Sequence, residues 1–129
     1  MSHKLHLRVW KDRFAVCRLA PRDAVPSWVW TAGEFISVSR TRDELSIVCA
    51  EGSVPPGIRC AKGWRILEVA GPLDFALSGI LASLTVPLAH AGVSIFAIST
   101  YDTDYVLVGE AQLDLAVRML TAAGHSVEQ

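Results

Sequence analysis

The hydrophobic period of this chain changes partway along it, and that change restricts the fold more than any single motif. In the first half apolar and polar residues alternate, the two-residue period of half-buried strands. Leu5, Leu7 and Val9 alternate with His6, Arg8 and Trp10. Lys11-Asp12-Arg13 reads as a tight turn, and Phe14–Leu19 as a second strand stopped by Ala20-Pro21. Asp23–Trp30, with Pro26, has room for no more than about two helical turns. Glu34–Arg40 and Leu45–Ala50 are a third and a fourth strand. The short polar link Thr41-Arg42-Asp43-Glu44 joins them, which predicts a hairpin. Gly52–Gly57, with Pro55-Pro56, is a loop.

The second half mixes this period with a helical one. Trp64–Ala70 reads as a strand, and Gly71-Pro72 as its end and the start of a helix, because proline suits a first helical position. Leu73, Leu77, Ile80, Leu81, Leu84 and Leu88 recur at three- and four-residue spacing and predict a helical core face. Asp74 falls in the first turn of that helix, where a carboxylate suits the dipole. Pro87 is expected to end or kink it, and Ala91-Gly92 to close it. Val93–Ser99 is the next strand, Thr100–Asp104 a polar turn, and Tyr105–Val108 the returning strand. A second helix runs from about Glu110, with Leu113, Ala116, Val117 and Leu120 on one face and Gly124 as C-cap. His125–Val127 completes a short last strand. The order β-α-β-β-α-β is the split β-α-β arrangement of an antiparallel sheet with helices on one face. The fold class is therefore α+β: two tandem ferredoxin-like (βαββαβ) units with antiparallel sheets. The units are residues 1–62 and 63–129, and the first has lost its helices to a short turn and a proline loop.

Composition narrows the function. The chain has 129 residues, 51% hydrophobic and 19% charged, with mean hydropathy +0.35. Charged residues fall below the ~25% usual in soluble domains. A helix-poor unit in so apolar a chain is expected to cover its sheet with a neighbouring unit or a second copy of itself, so a homodimer is expected. Net charge is -1, with no basic stripe for nucleic acid and no polybasic membrane anchor. The uncharged stretch Phe75–Tyr101 is broken by Gly79, Pro87, His90 and Gly92 and does not read as a membrane span. The first residues show no signal-peptide core. Cys17, Cys49 and Cys60 are odd in number and widely spaced, which reads as buried free thiols in a reducing, cytoplasmic setting.

Two segments carry a family resemblance. Ile36–Cys49, with its Arg-Thr-x-Asp-Glu-Leu-Ser hairpin, and Ile95–Val108, with its Thr-Tyr-Asp-Thr-Asp-Tyr turn, resemble the small bacterial ACT-domain proteins. These are related to the regulatory domains of aspartate kinase and to the CASTOR arginine sensors. The likeness extends from about Leu5 to Ala123. It implies tandem ACT units that bind free amino acids at an interface between units, and dimers formed by joining sheets.

Three segments are candidate ligand sites. At Gly71-Pro72-Leu73-Asp74, an expected helix N-terminus offers unpaired N–H groups to an α-carboxylate, and Gly71 would let it approach the backbone. The resemblance implies that this loop cradles the ligand main chain; a plain strand-to-helix connection is the other reading. In Ser99-Thr100-Tyr101-Asp102-Thr103-Asp104, Asp102 and Asp104 could receive an ammonium or a basic side chain. A solvated turn uses the same residue types. In the first-half hairpin, Ser37–Ser46, Arg40 and Arg42 could hold a carboxylate while Ser37 and Ser39 donate from a strand face, forming an opposing wall; a solvated turn tip with an internal Arg–Asp pair is the other reading. One local match does not fix side-chain specificity, so arginine is not carried over as the ligand.

No motif asks for catalysis. His3, His6, His90 and His125 lack metal-ligand spacing, and no nucleophile-elbow, phosphate-loop or dinucleotide-binding pattern occurs. Trp28 and Trp30 read as caps on a small core, or as an aromatic patch for a partner. No cofactor or metal is expected. The leading expectation is a non-catalytic, amino-acid-binding regulatory module. The alternative is a structural adaptor that acts through a partner enzyme without a ligand of its own.

Overall fold

The computed structural model describes residues 3–74 and 77–129. The fold is mixed α+β. Its strands are β1 (His6–Val9), β2 (Phe14–Leu19), β3 (Ser37–Arg40), β4 (Leu45–Ala50), β5 (Cys60–Val69), β6 (Ile95–Ser99), β7 (Asp104–Gly109) and β8 (Ser126–Glu128). Helix α1 (Ile80–His90) precedes β6, and α2 (Leu113–Ala122) precedes β8. Two compact units emerge, Asp12–Trp64, and Met1–Lys11 together with Arg65–Gln129. This division differs from a cut after residue 62. β1 clusters with the C-terminal residues because it pairs with the end of β5 (Leu7 opposite Val69) and, in parallel, with β8 (His6 opposite Ser126). Lys11–Arg13 is thus no hairpin turn, since β2 pairs instead with β4 and the start of β5.

In the middle unit, Asp12–Trp64, the strand order is β3-β4-β2-β5, all antiparallel. The expected β3–β4 hairpin is present, with Arg40 opposite Leu45. Alternate residues Ala15 and Cys17 of β2 and Leu45, Ile47 and Cys49 of β4 bury on one face. A 3-10 turn, Ser27–Thr31, adds Val29 to that core. Trp28 packs against it, whereas Trp30 is exposed. No α-helix occurs among the described residues of this unit. β5 starts four residues earlier than its apolar pattern suggests. A bulge carries it past Gly63, whose N–H donates to Glu51 Oε1 at 2.9 Å.

In the C-terminal unit β7 lies between β6 and β5. Leu7, Leu67, Val69, Val106 and Val108 of the strands meet Leu84, Leu88, Leu113, Ala116 and Leu120 of the helices in one core. Both helices stop in the same way. Beyond α1, Gly92 N–H donates to Ala89 O and Val93 N–H to Leu88 O; beyond α2, Gly124 N–H donates to Thr121 O and His125 N–H to Leu120 O. These are Schellman closures, which need a left-handed residue, and both glycines have positive φ.

Two expectations about α1 are corrected. It begins at Ile80, not at Pro72. Phe75 and Ala76 lie outside the described residues, but 73–74 and 77–78 are not helical. Leu73 N–H is taken by Asp102 O at 2.7 Å, and Gly79, at φ 77°, cannot continue a right-handed helix. Leu77 is therefore 47% exposed instead of forming part of a core stripe. Pro87 does not end the helix, which runs on to His90. Proline removes the N–H that would reach Ser83 O one turn back. His125, 4% exposed, replaces it: Nε2–H donates to Ser83 O at 3.0 Å, and Nδ1 accepts Leu5 N–H at 3.1 Å. Those two partners fix the neutral tautomer, since one ring nitrogen must donate and the other accept. No helix among the described residues is long and apolar enough to cross a membrane.

Candidate functional site

The C-terminal unit holds an open cavity of about 230 Å³ between the loop that follows β5 and the β6–β7 turn. The turn is built by its threonines. Thr100 N–H donates to Thr103 O at 2.8 Å, and Thr103 N–H meets Thr100 Oγ1 at 3.4 Å. Thr103, 5% exposed, donates its hydroxyl to Val69 O at 2.7 Å and so fastens the turn to β5. Leu73 N–H on Asp102 O adds a second tie, from the loop.

Seven residues singled out from the sequence line this cavity: Leu73, Asp74, Ser99, Thr100, Tyr101, Asp102 and Asp104. Gly71 and Pro72 are not among the lining residues. Gly71 does serve a close approach, but to the protein itself. A Cβ there would stand 3.0 Å from Asp102 O and 3.1 Å from Thr103 Cβ. It also precedes no helix, so the N–H groups expected at Gly71 belong instead to the start of α1, where Ile80 lines the cavity and no side-chain cap is formed among the described residues.

Ser37 and Arg40 lie in the middle unit, on β3. The Arg40 guanidinium donates to Pro21 O and, at 2.8 Å, to Asp23 O. It is thus engaged with the loop after β2. The reading as a turn tip missed this bond because carbonyls far along the chain leave no mark in a local pattern.

Thr103, inside the candidate turn but given no ligand role, also lines the cavity, as do Leu77 and Ile80, which were read only as helical core. Leucine and isoleucine at helical spacing carry no sign that they face a cavity. The sign of Thr103 was its place in the Thr-x-x-Thr turn.

The lining is anionic. It contains the carboxylates Asp74, Asp102 and Asp104 and no Lys, Arg or His among the described residues. Asp104 Oδ1 accepts the Ser99 hydroxyl at 2.5 Å across the hairpin. The Asp102 side chain makes no hydrogen bond or ion pair among the described residues. Burial raises the pKa of the neighbouring Tyr105 hydroxyl; the Glu68 and Asp102 charges add to the rise, and a hydrogen bond with Thr100 opposes it. A site of this kind favours a cation near Asp102, and N–H donors at a helix start can face an anion a few ångströms away. Its volume lies below the ~300 Å³ where drug-sized pockets begin, so it suits a small metabolite.

Residues 59–122 match the family model described as ACT domain. The chain belongs to the ACT-domain family. Residues 12–57 match a second model, described as an N-terminal domain. Among solved structures, this ACT protein is similar to a protein from Agobacterium tumefaciens, with 36% identity, TM-score 0.92, and 98% of this chain and 93% of the other covered. The regulatory subunit of aspartate kinase from Thermus thermophilus shares the fold at 13% identity and TM-score 0.61, over 91% of this chain and 95% of that one. Among curated relatives, the bovine cytosolic arginine sensor for mTORC1 subunit 1 is 30% identical over 67% of this chain. The human counterpart is 38% identical over 44% of it. The ACT chain spans 30% of the length of the bovine protein and 18% of the human one.

Proposed function

We propose that this chain is a non-catalytic, cytoplasmic regulatory module that binds a free amino acid in the cavity of its C-terminal unit. The observation that carries the reading is convergence. The loop after β5 and the 99–104 turn, chosen separately from the sequence, line one small anionic cavity beside the start of α1. In the bound state Asp102 receives the ammonium or a basic side chain. The α-carboxylate lies toward the first N–H groups of α1, not toward Gly71. Similarity to an arginine sensor and to an aspartate kinase regulatory subunit supports the amino-acid class. It does not choose among amino acids.

The module is two tandem ferredoxin-like units, the first helix-poor, and it works as a homodimer. Repetition supports the tandem reading. The order β3-β4-β2 in the middle unit parallels β6-β7-β5 in the C-terminal one. The two hairpin turns also share their bonds: Thr41 N–H donates to Glu44 O at 2.9 Å as Thr100 N–H does to Thr103 O. Ligand binding would favour one arrangement of the assembly over another and so reach a partner enzyme.

The test is thermal melting against each of the twenty amino acids at millimolar concentration. Saturating the native state a hundredfold above Kd adds about 2.7 kcal/mol and raises the midpoint. Asp102→Asn should lose most of that rise while melting normally without ligand. No rise with any amino acid overturns the reading.

A further inference from the structure

The three cysteines of the middle unit gather around Cys17. Cys17 and Cys49 are buried, and Cys60 is half-buried at the start of β5. Cys17 on β2 stands directly opposite Cys60. Arg18 N–H donates to Arg59 O at 2.9 Å. In an antiparallel ladder, a bond between the residue after one partner and the residue before the other leaves the pair between them non-hydrogen-bonded. Side chains of such pairs stand closest, with Cα atoms about 4.5 Å apart, inside the ~4.4–6.8 Å that a disulfide spans. Cys49 is placed differently. It faces Ala15, so it is diagonal to Cys17. Diagonal neighbours lie roughly 7–8 Å apart, beyond what a disulfide bridges without backbone movement. Both other thiols nevertheless stand close enough to Cys17 to add to the rise in its pKa that burial causes. The described residues hold no group of three or more Cys, His, Asp or Glu side chains placed for a metal ion, which leaves thiol oxidation as the shared chemistry.

We propose that Cys60 and Cys17 form an oxidative modification site, in which a peroxide oxidises Cys60 and Cys17 resolves it to a cross-strand disulfide while Cys49 stays a thiol. The half-buried Cys60 meets the oxidant first. Its thiolate sulfur attacks one peroxide oxygen, the O–O bond breaks, and hydroxide leaves from a Cys60 sulfenic acid. Cys17 Sγ then attacks Cys60 Sγ. The S–S bond forms, the S–O bond breaks, and the departing oxygen leaves as water with the proton from Cys17. With the first hydroxide protonated, two thiols and one peroxide give one disulfide and two waters. Burial pushes the Cys17 thiol up to about 12, so Cys17 is a poor first target and a slow resolver. The sulfenic acid therefore precedes the disulfide in time. The product closes β3 and β4 inside one covalent ring and is reversed by dithiothreitol.

The test treats the folded chain with hydrogen peroxide at neutral pH, with and without dimedone, then alkylates free thiols and maps peptides. The expected result at short times is a dimedone adduct on Cys60 alone. Without dimedone, two thiols disappear together, the mass falls by two hydrogens, and a Cys17–Cys60 linked peptide appears. Cys49→Ser should keep that link, and Cys60→Ser should abolish it. A Cys17–Cys49 link, a link between chains, or Cys60 oxidised to sulfinic acid with Cys17 free would each overturn the proposal. Mapping of the unsubstituted chain decides the matter even where a variant fails to fold.

Discussion

Replacing His125 with leucine removes two hydrogen bonds at once and keeps most of the side-chain volume. Leu5 N–H loses Nδ1, and Ser83 O loses Nε2–H. Each group left unsatisfied in a partly buried place costs about 1–3 kcal/mol, so H125L should cost about 2–6 kcal/mol. The second loss exists only because residue 87 is proline. In a Pro87→Ala background the new alanine N–H reaches Ser83 O along the helix, and the leucine substitution leaves only Leu5 N–H unpaired. The cost of H125L should then fall by about 1–3 kcal/mol. P87A alone should stabilise by less than the ~3 kcal/mol that separates these residues in a helix interior, because His125 already serves the carbonyl. Urea unfolding of the four proteins, followed by circular dichroism with m-values compared, closes the cycle. Additivity within about 0.5 kcal/mol would refute the idea that His125 stands in for the missing N–H.

Other substitutions test the ties around the cavity and the thiol cluster. Gly71→Ala places a Cβ 3.0 Å from Asp102 O, and overpacking of this kind should cost about 1–3 kcal/mol; an unchanged melting temperature would count against the close approach. Thr103→Val keeps the shape but drops the bond to Val69 O, with an expected loss of about 1 kcal/mol in chemical denaturation. Burial holds the Cys17 thiol at about 12, above its ordinary 9.0, so the native state keeps a proton that the unfolded chain releases. That contribution is complete below pH 9 and is lost as pH rises toward 12, and Cys17→Ala should flatten the alkaline decline seen in melting against pH.

The hairpins were legible in the sequence because both of their signals are local: alternating apolar residues on either side of a short polar turn opened by Thr41 or Thr100. The two helix ends were legible for the same reason, since Gly92 and Gly124 each follow a periodic apolar run. What escaped was set by distant parts of the chain. Gly71-Pro72-Leu73-Asp74 has the composition of a helix start, but Leu73 N–H is drawn to Asp102 O, which no local window contains. β1 has an ordinary strand pattern, and nothing in it names Val69 and Ser126 as its neighbours. The first residues of β5, Cys60–Gly63, carry too little apolar alternation to read as strand, because their pairing with β2 relies on backbone and a bulge. At the candidate site, polar turn residues advertised themselves, whereas Leu77 and Ile80 looked like any core leucine or isoleucine.

Arg40 and Ser99 occupy the same place in their two hairpins, each one residue before the threonine that opens the turn. Serine is short and keeps to Asp104 on its own hairpin. Arginine is long enough to cross to the opposite loop, where its guanidinium joins Pro21 O and Asp23 O. The middle unit thus carries a tethered cation. A tethered group acts at an effective concentration fixed by its own linker and does not respond to what is dissolved around it. The first hairpin is thus clasped to its loop by a side chain, whereas the second is tied to its loop by the Leu73 N–H on Asp102 O and keeps an open cavity beside Ser99. Shortening residue 40 would remove the side-chain clasp from the first hairpin.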